Sequence, residues 1–313
     1  MRNAFAEELT FLAAQNEKAV LLSGDIGNRL FDEFKTRYPN RFYNCGVAEA
    51  NMIGVAAGLT LSSFRAVVYT IASFATVRCL EQIRNDVCYH NIPVIIVGVG
   101  AGLSYAGLGA THQSCEDIAM LRSLPNMTVV CPGDAIEVRR ALREAFQWNG
   151  PVYLRLGKRG EPIVHTEDVE FSIGKAITVR RGNDVCLLSV GNMLPLSLEA
   201  GEVLSRRGIS TRVVSFHTVK PLDMELLEEV FSSCSLVVSL EEHSKLGGFG
   251  SAIAEWFCKK NRQARFLSLG TEDCFLCSSG SQKYFREYFG LSLEGVLGEI
   301  MGKYREIEKR ALC

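Results

Sequence analysis

Glu49 stands between a glycine-led turn and an apolar, small-residue run, "YNCGVAEANMIGVAAGLTL" (43–61). Two readings of this acid are open. In the first turn of a helix it favours the dipole and the exposed amides. Held out of water, it is suited to exchange a proton, for instance with a ring nitrogen. Met52, Ile53, Ala56 and Leu59 share roughly one helical face, and Gly54, Ala57 and Gly58 allow close packing. His112 is the second candidate, in "GLGATHQSCEDIAMLRSLPNM" (107–127). Gly107 and Gly109 give it a flexible approach, and Ser114 with Asp117 three residues on reads as the capped start of a helix. Open α/β sheets place ligands at such strand–loop–helix junctions, although a loop histidine bound to backbone has the same signature.

Other segments carry weaker signals. "VGVGAG" (97–102) imitates a dinucleotide loop but has Leu103 where the third glycine is required. "SLEEHSKLGGFGSAIAEW" (239–256) ends a strand in two acids and a histidine. Its glycines then open a helix that offers either an anion site or tight strand-to-helix packing. Arg2, Arg155, Lys158 and Arg159 are candidate phosphate contacts, and His165 reads as a solvated linker histidine. Cys274 and Cys277 form one isolated CxxC, without the second pair that a zinc site needs.

The elements that position these residues follow an α/β rhythm. Apolar runs at 19–23, 41–46, 65–70, 93–99, 127–131 and 151–156 read as strands, with helical patterns at 49–61, 74–89, 115–123 and 135–147. After Leu156 the chain becomes rich in glycine, proline and charge. Strands then resume at 184–190, 210–216, 235–240 and 264–269, with helices at 194–207, 223–231 and 249–261. The expected fold is α/β with two domains, each a mostly parallel sheet flanked by helices: 1–160, a linker at 161–180, and 181–313. The 313 residues carry a net charge of −1, which gives no basic face for nucleic acid and no polybasic membrane anchor. The longest apolar stretch, "IPVIIVGVGAGL" (92–103), is too short to span a bilayer. "MRNAFAEEL" lacks a secretory apolar core, and the eleven scattered cysteines read as thiols, so a cytoplasmic location is expected.

Taken together, "NCGVAEANMIGVAAGLTL", "SFATVRCLEQIRND", "GATHQSCEDIAMLRSLPNMTVVCPGD" and "EEHSKLGGFGSAIAE" resemble the C-terminal half of transketolase, in order across almost the whole chain. The resemblance implies a pyrimidine-binding domain followed by a transketolase C-terminal domain. The activity it implies is two-carbon ketol transfer between sugar phosphates, with thiamine diphosphate as cofactor. Glu49 then matches the acid that binds the aminopyrimidine and favours its imino tautomer. Phe74 matches the aromatic that packs on that ring, and Ile71 stands where a second aromatic is common. Asp25 matches an acid near the thiazolium, and His112 the histidine facing the substrate oxygens. Arg2 and Lys158 fall where the family places cations for the sugar phosphate.

The departures also carry information. Gly100 replaces a substrate-facing histidine, and Gly107 and Leu108 replace a Glu-Asp pair whose aspartate contacts a donor hydroxyl. Loss of that polar selector points to a modified donor or acceptor, such as a deoxy or branched sugar. The family holds the diphosphate through Mg²⁺ on a G-D-G…N motif in another domain, and "GDIG" and "GDAI" do not continue into that pattern. The resemblance therefore implies the second subunit of a split transketolase, joined to an N-terminal partner carrying that motif in an α2β2 assembly, with homodimerisation of this chain. Similarity also extends to 1-deoxyxylulose-5-phosphate synthase and to 2-oxo-acid dehydrogenase β subunits, and a non-catalytic regulatory partner is the reading from another class.

Overall fold

Strands form wherever short, β-rich apolar runs can be buried on both faces. In the computed structural model, which describes residues 1–27, 29–260 and 264–311, they are β1 (Ala19–Ser23), β2 (Phe42–Asn44), β3 (Arg65–Ile71), β4 (Ile95–Val99), β5 (Thr128–Val130), β6 (Val152–Leu156), β7 (Ile177–Arg180), β8 (Val185–Ser189), β9 (Thr211–Ser215), β10 (Thr218–Lys220), β11 (Leu236–Ser244) and β12 (Arg265–Thr271). Every position of β1, β4, β6 and β8 is buried. The strands make a seven-stranded sheet in the order β10-β5-β6-β4-β3-β1-β2 and a five-stranded sheet in the order β12-β11-β8-β9-β7. All neighbours are parallel except β10 against β5 and β7 against β9. Two α/β layers with mostly parallel sheets are thus the architecture, as the alternating pattern predicts.

One strand crosses between the layers. β10 follows β9 of the second sheet, yet it pairs with β5 at the edge of the first, Thr218 opposite Val130 and Lys220 opposite Val129. In the intervening segment, β7 pairs with β9, so part of the expected linker is sheet. His165 is also not solvated. It is 8% exposed, with Nδ1 3.0 Å from Asp134 Oδ2 and Nε2 3.4 Å from Glu137 Oε1. Burial alone would lower the imidazole pKa, but the Asp134 hydrogen bond and the Glu137 charge raise it on balance. Asp134 is also the N-cap of the helix Ala135–Gln147, accepting from Glu137 N at 2.9 Å. One carboxylate therefore starts a helix and ties down the connecting segment.

The run expected as one helix over 74–89 is broken into an α turn (Ala72–Thr76), a 3₁₀ turn (Val77–Cys79), a short α piece (Leu80–Gln82) and a π turn (Ile83–Cys88). The sequence explains why. Ala75, Cys79, Ile83 and Val87, all fully buried, repeat every four residues. A regular helix of 3.6 residues per turn would rotate that repeat off the sheet, and the wider π turn corrects the drift.

Candidate functional site

The candidate residues gather at the C-terminal edge of the first sheet, where β2 and β3 lie on opposite sides of β1. This is the topological switch point at which open parallel sheets form a crevice. β1 ends in Ser23-Gly24-Asp25, and β2 ends in Asn44 before the turn at Gly46 (φ +69°) that leads to the helix Glu49–Leu61. β3 ends in Thr70-Ile71 and passes directly into the turn bearing Phe74. Asn44 joins two of these loops: its amide donates to Asp25 Oδ1 at 2.8 Å, and its Oδ1 accepts from Gly46 N at 2.9 Å. Asp25 is exposed and has a left-handed φ of +57°, a conformation aspartate tolerates better than most residues. Gly24 leaves the room: a Cβ there would lie 3.0 Å from Thr70 Oγ1 and 3.3 Å from Glu49 Cγ.

Glu49 is both at a helix start and out of water. It occupies the first helical turn and is 3% exposed. Its Oε1 lies 3.5 Å from the Thr70 hydroxyl, and its Oε2 accepts from Arg78 Nη1 at 3.1 Å. The Arg78 guanidinium also lies over the Phe74 ring, 3.8 Å from its centroid. Phe74 in turn meets the His112 ring edge-on, with centroids 5.1 Å apart. Glu49, Phe74 and His112 therefore lie along one connected wall. The carboxylate and the aromatic face together accept a flat group that donates N–H, a description that fits an aminopyrimidine as well as the guanidinium now there. Ile71 is half-buried at the start of the Phe74 turn and offers apolar contact without stacking. Among the described residues, no group of three or more His, Cys, Asp or Glu could hold a metal ion, and Cys274 and Cys277 are exposed free thiols.

The second half of the chain holds the His112 loop in place. Gly102 and Ser114 pair across the loop base, and Leu103 N donates to Glu242 Oε2 at 2.9 Å. Glu242, fully buried, also accepts from Asn192, Gln282 and Arg286. Ser244 N donates to Cys115 O at 2.7 Å. At the top of the loop, Ser73 Oγ donates to Thr111 O at 3.0 Å, and Thr111 Oγ1 lies 2.9 Å from His112 Nδ1. The helix after the loop starts at Asp117 without a Ser114 cap. Asp117 is instead fully buried, paired with Arg155 Nε at 2.8 Å and accepting from the Tyr153 hydroxyl at 2.7 Å.

That pair removes Arg155 from the phosphate candidates, since its side chain is sealed inside the protein. Arg2 and Lys158 remain accessible but line different cavities. Arg2 faces one of about 500 Å³ with Arg29 and Glu33, and Lys158 one of about 580 Å³ with Arg159 and Arg286. The anion reading of 239–256 also fails. Glu241, fully buried, accepts from Phe249 N and Gly250 N at 2.7 Å each, so the protein's own carboxyl fills that helix end. Gly100 has φ +73°, and a Cβ there would lie 1.9 Å from the Tyr105 ring, so Tyr105 fills the space a histidine at 100 would need. Leu108 is 58% exposed.

Thr70, Asn44 and Arg78 were not singled out by sequence reasoning, and Glu242 was read only as one of two acids ending a strand. Among the described residues, Thr70 and Arg78 are the side chains that hydrogen-bond Glu49. Each interrupts an otherwise apolar run, and that interruption is the signal by which the sequence could have revealed them.

Residues 1–161 match the family model for the transketolase pyrimidine binding domain, and residues 174–296 that for the transketolase C-terminal domain. The chain is 33% identical over 297 residues to one of the subunits of the apulose-4-phosphate transketolase of Phocaeicola vulgatus, with 94% of each chain covered. It is 35% identical over 311 residues to 6-deoxy-6-sulfo-D-fructose transketolase subunit SqwH of Clostridium sp. (strain MSTE9), covering 99% of this chain and 95% of that one. A solved split-gene transketolase, an inactive beta4 tetramer, matches with a TM-score of 0.88 at 37% identity, covering 96% of this chain and 97% of that one.

Proposed function

The chain belongs to the transketolase family, and on that premise we propose that it is the C-terminal, β-type subunit of a two-chain, thiamine diphosphate-dependent transketolase. The observation that carries the reading is the buried Glu49 carboxylate, held against Phe74 by a planar N–H donor and one ring contact from His112. Thiamine diphosphate, when bound, would supply the carbon nucleophile for ketol transfer. Glu49 receives an N–H of the aminopyrimidine and holds or returns a proton at that nitrogen, in a setting from which water is excluded. Thr70 fixes the other carboxylate oxygen, and Phe74 with Ile71 supplies the apolar faces. Asp25, anchored by Asn44, would serve the thiazolium side of the cofactor. His112, with Nδ1 engaged by Thr111, has Nε2 left to donate to or accept from a substrate oxygen. Arg2 and Lys158 line separate cavities of the chain, and each is a candidate contact for a sugar phosphate.

The diphosphate and its Mg²⁺ belong on this reading to an N-terminal partner with a G-D-G…N motif, in an α2β2 assembly. Near-complete coverage of transketolase chains that are themselves separate subunits supports the two-chain arrangement. The ten described cysteines are free thiols, which supports a reducing compartment, the cytoplasm. Both relatives are named for sugars other than xylulose 5-phosphate, which supports a modified donor or acceptor, as Leu108 suggests. The test is co-expression with the partner, followed by thiamine diphosphate titration and turnover of wild type and Glu49→Gln. Saturable binding by the complex, and a turnover loss of about 10²-fold or more in the variant, are expected. Full-speed transfer by the variant would refute the proposal.

A further inference from the structure

Arg78 makes both of the contacts that the proposed cofactor ring needs. Its guanidinium donates to Glu49 Oε2 at 3.1 Å and lies over the Phe74 ring, 3.8 Å from its centroid. A guanidinium is planar, cationic and rich in in-plane N–H donors, with a face that stacks on aromatics. An aminopyrimidine bound by a carboxylate and an aromatic ring presents the same features. One carboxylate oxygen and one ring face cannot serve both groups in these positions.

We propose that Arg78 is a displaceable stand-in for the aminopyrimidine, holding the cofactor pocket formed in the separate subunit and giving way when the ring binds. The inference rests on the transketolase reading of the site. Three observations support displacement over a permanent role. Glu49 is 3% exposed, so without a partner it would be a buried, uncompensated charge, and some cation must hold it until the cofactor arrives. The Arg78 side chain, by contrast, is 44% exposed, so it has an open route into water. Its backbone lies in the 3₁₀ turn Val77–Cys79, between the α turn before it and the short α piece Leu80–Gln82 that leads into the π turn. Such irregular hydrogen-bond ladders are where helices change register at functional sites. On displacement the arginine exchanges a half-exposed ion pair for water, a modest cost that the incoming ring must overcome. Apparent cofactor affinity is therefore reduced by the fraction of subunits in which Arg78 occupies the slot.

The test is the dissociation constant of thiamine diphosphate with Mg²⁺, read by fluorescence quenching, for the complex of this chain with its partner. Wild type, Arg78→Gln and Arg78→Lys are compared. Arg78→Gln is expected to bind the cofactor about tenfold more tightly than wild type. Arg78→Lys, which can pair but not stack, should fall between them. In the chain alone, Arg78→Gln should lower the melting temperature by several degrees, because Glu49 loses its partner. Equal or weaker binding by Arg78→Gln overturns the inference, as does an unchanged melting temperature of the chain alone. Should Arg78→Gln fail to fold, Arg78→Lys decides by itself, tighter binding supporting the stand-in and weaker binding refuting it. A wild-type complex that binds no cofactor would refute the transketolase reading instead, so the two failures are distinct.

Discussion

Single side chains set most of what can be tested by titration. His217 is fully buried, stacked on Phe171 with centroids 4.0 Å apart, and burial pushes its imidazole down from 6.5 to about 3, with the nearby His165 adding to the fall. A histidine whose folded value is depressed stabilises the fold fully above its unfolded pKa and loses that contribution as the pH falls through the folded value. The melting temperature should therefore drop on acidification between pH 6.5 and about 3. His217→Phe, which keeps the stack and removes the titration, should flatten that slope even if it lowers the plateau, and melting curves at stepped pH check this. Legibility at this scale was uneven. Glu49 and His112 stood out because a charge beside an apolar helix and a histidine on a glycine loop are unusual locally. Arg155 and His165 misled because their partners, Asp117 and Asp134, lie 38 and 31 residues away, beyond any spacing rule.

Among the elements, regular ones were readable and irregular ones were not. The periodicity of 135–147 predicts a helix, and the structure forms it as Ala135–Gln147, capped by Asp134. The segment 74–89 follows a four-residue repeat that propensity cannot distinguish from an ordinary helix, and Phe74 and Arg78, four residues apart, share a face in either case. The His112 loop depends on clamps from another part of the chain. At Gly102 (φ +63°) the clamp meets the loop backbone, and an added Cβ would lie 2.6 Å from Glu242 O. Gly102→Ala should therefore move the loop off its clamp. Faster hydrogen exchange over 100–116 and a turnover loss of about tenfold or more are expected in a chain that still folds. Exchange and turnover at wild-type levels would show that the clamp does not set the loop.

Across the whole molecule, the two sheets are mechanically one object. The crossing strand β10 and the Glu242 and Arg155 clusters tie them together, and none of these ties was visible in the sequence, because β10 is only three residues long and its partner is 90 residues away. Calorimetry of the intact chain should show one unfolding transition, not two. The fragment 1–160 expressed alone should associate or precipitate, since β5 would lose its neighbour and present a bare row of amides and carbonyls. Exchange of modules between related enzymes inherits this constraint. A graft cut through the connecting segment leaves the recipient's first sheet missing its last strand unless the incoming piece brings a compatible one, and a seam moved past Lys220 parts β8 from β11 instead, so any chimera must match strand partners across its seam.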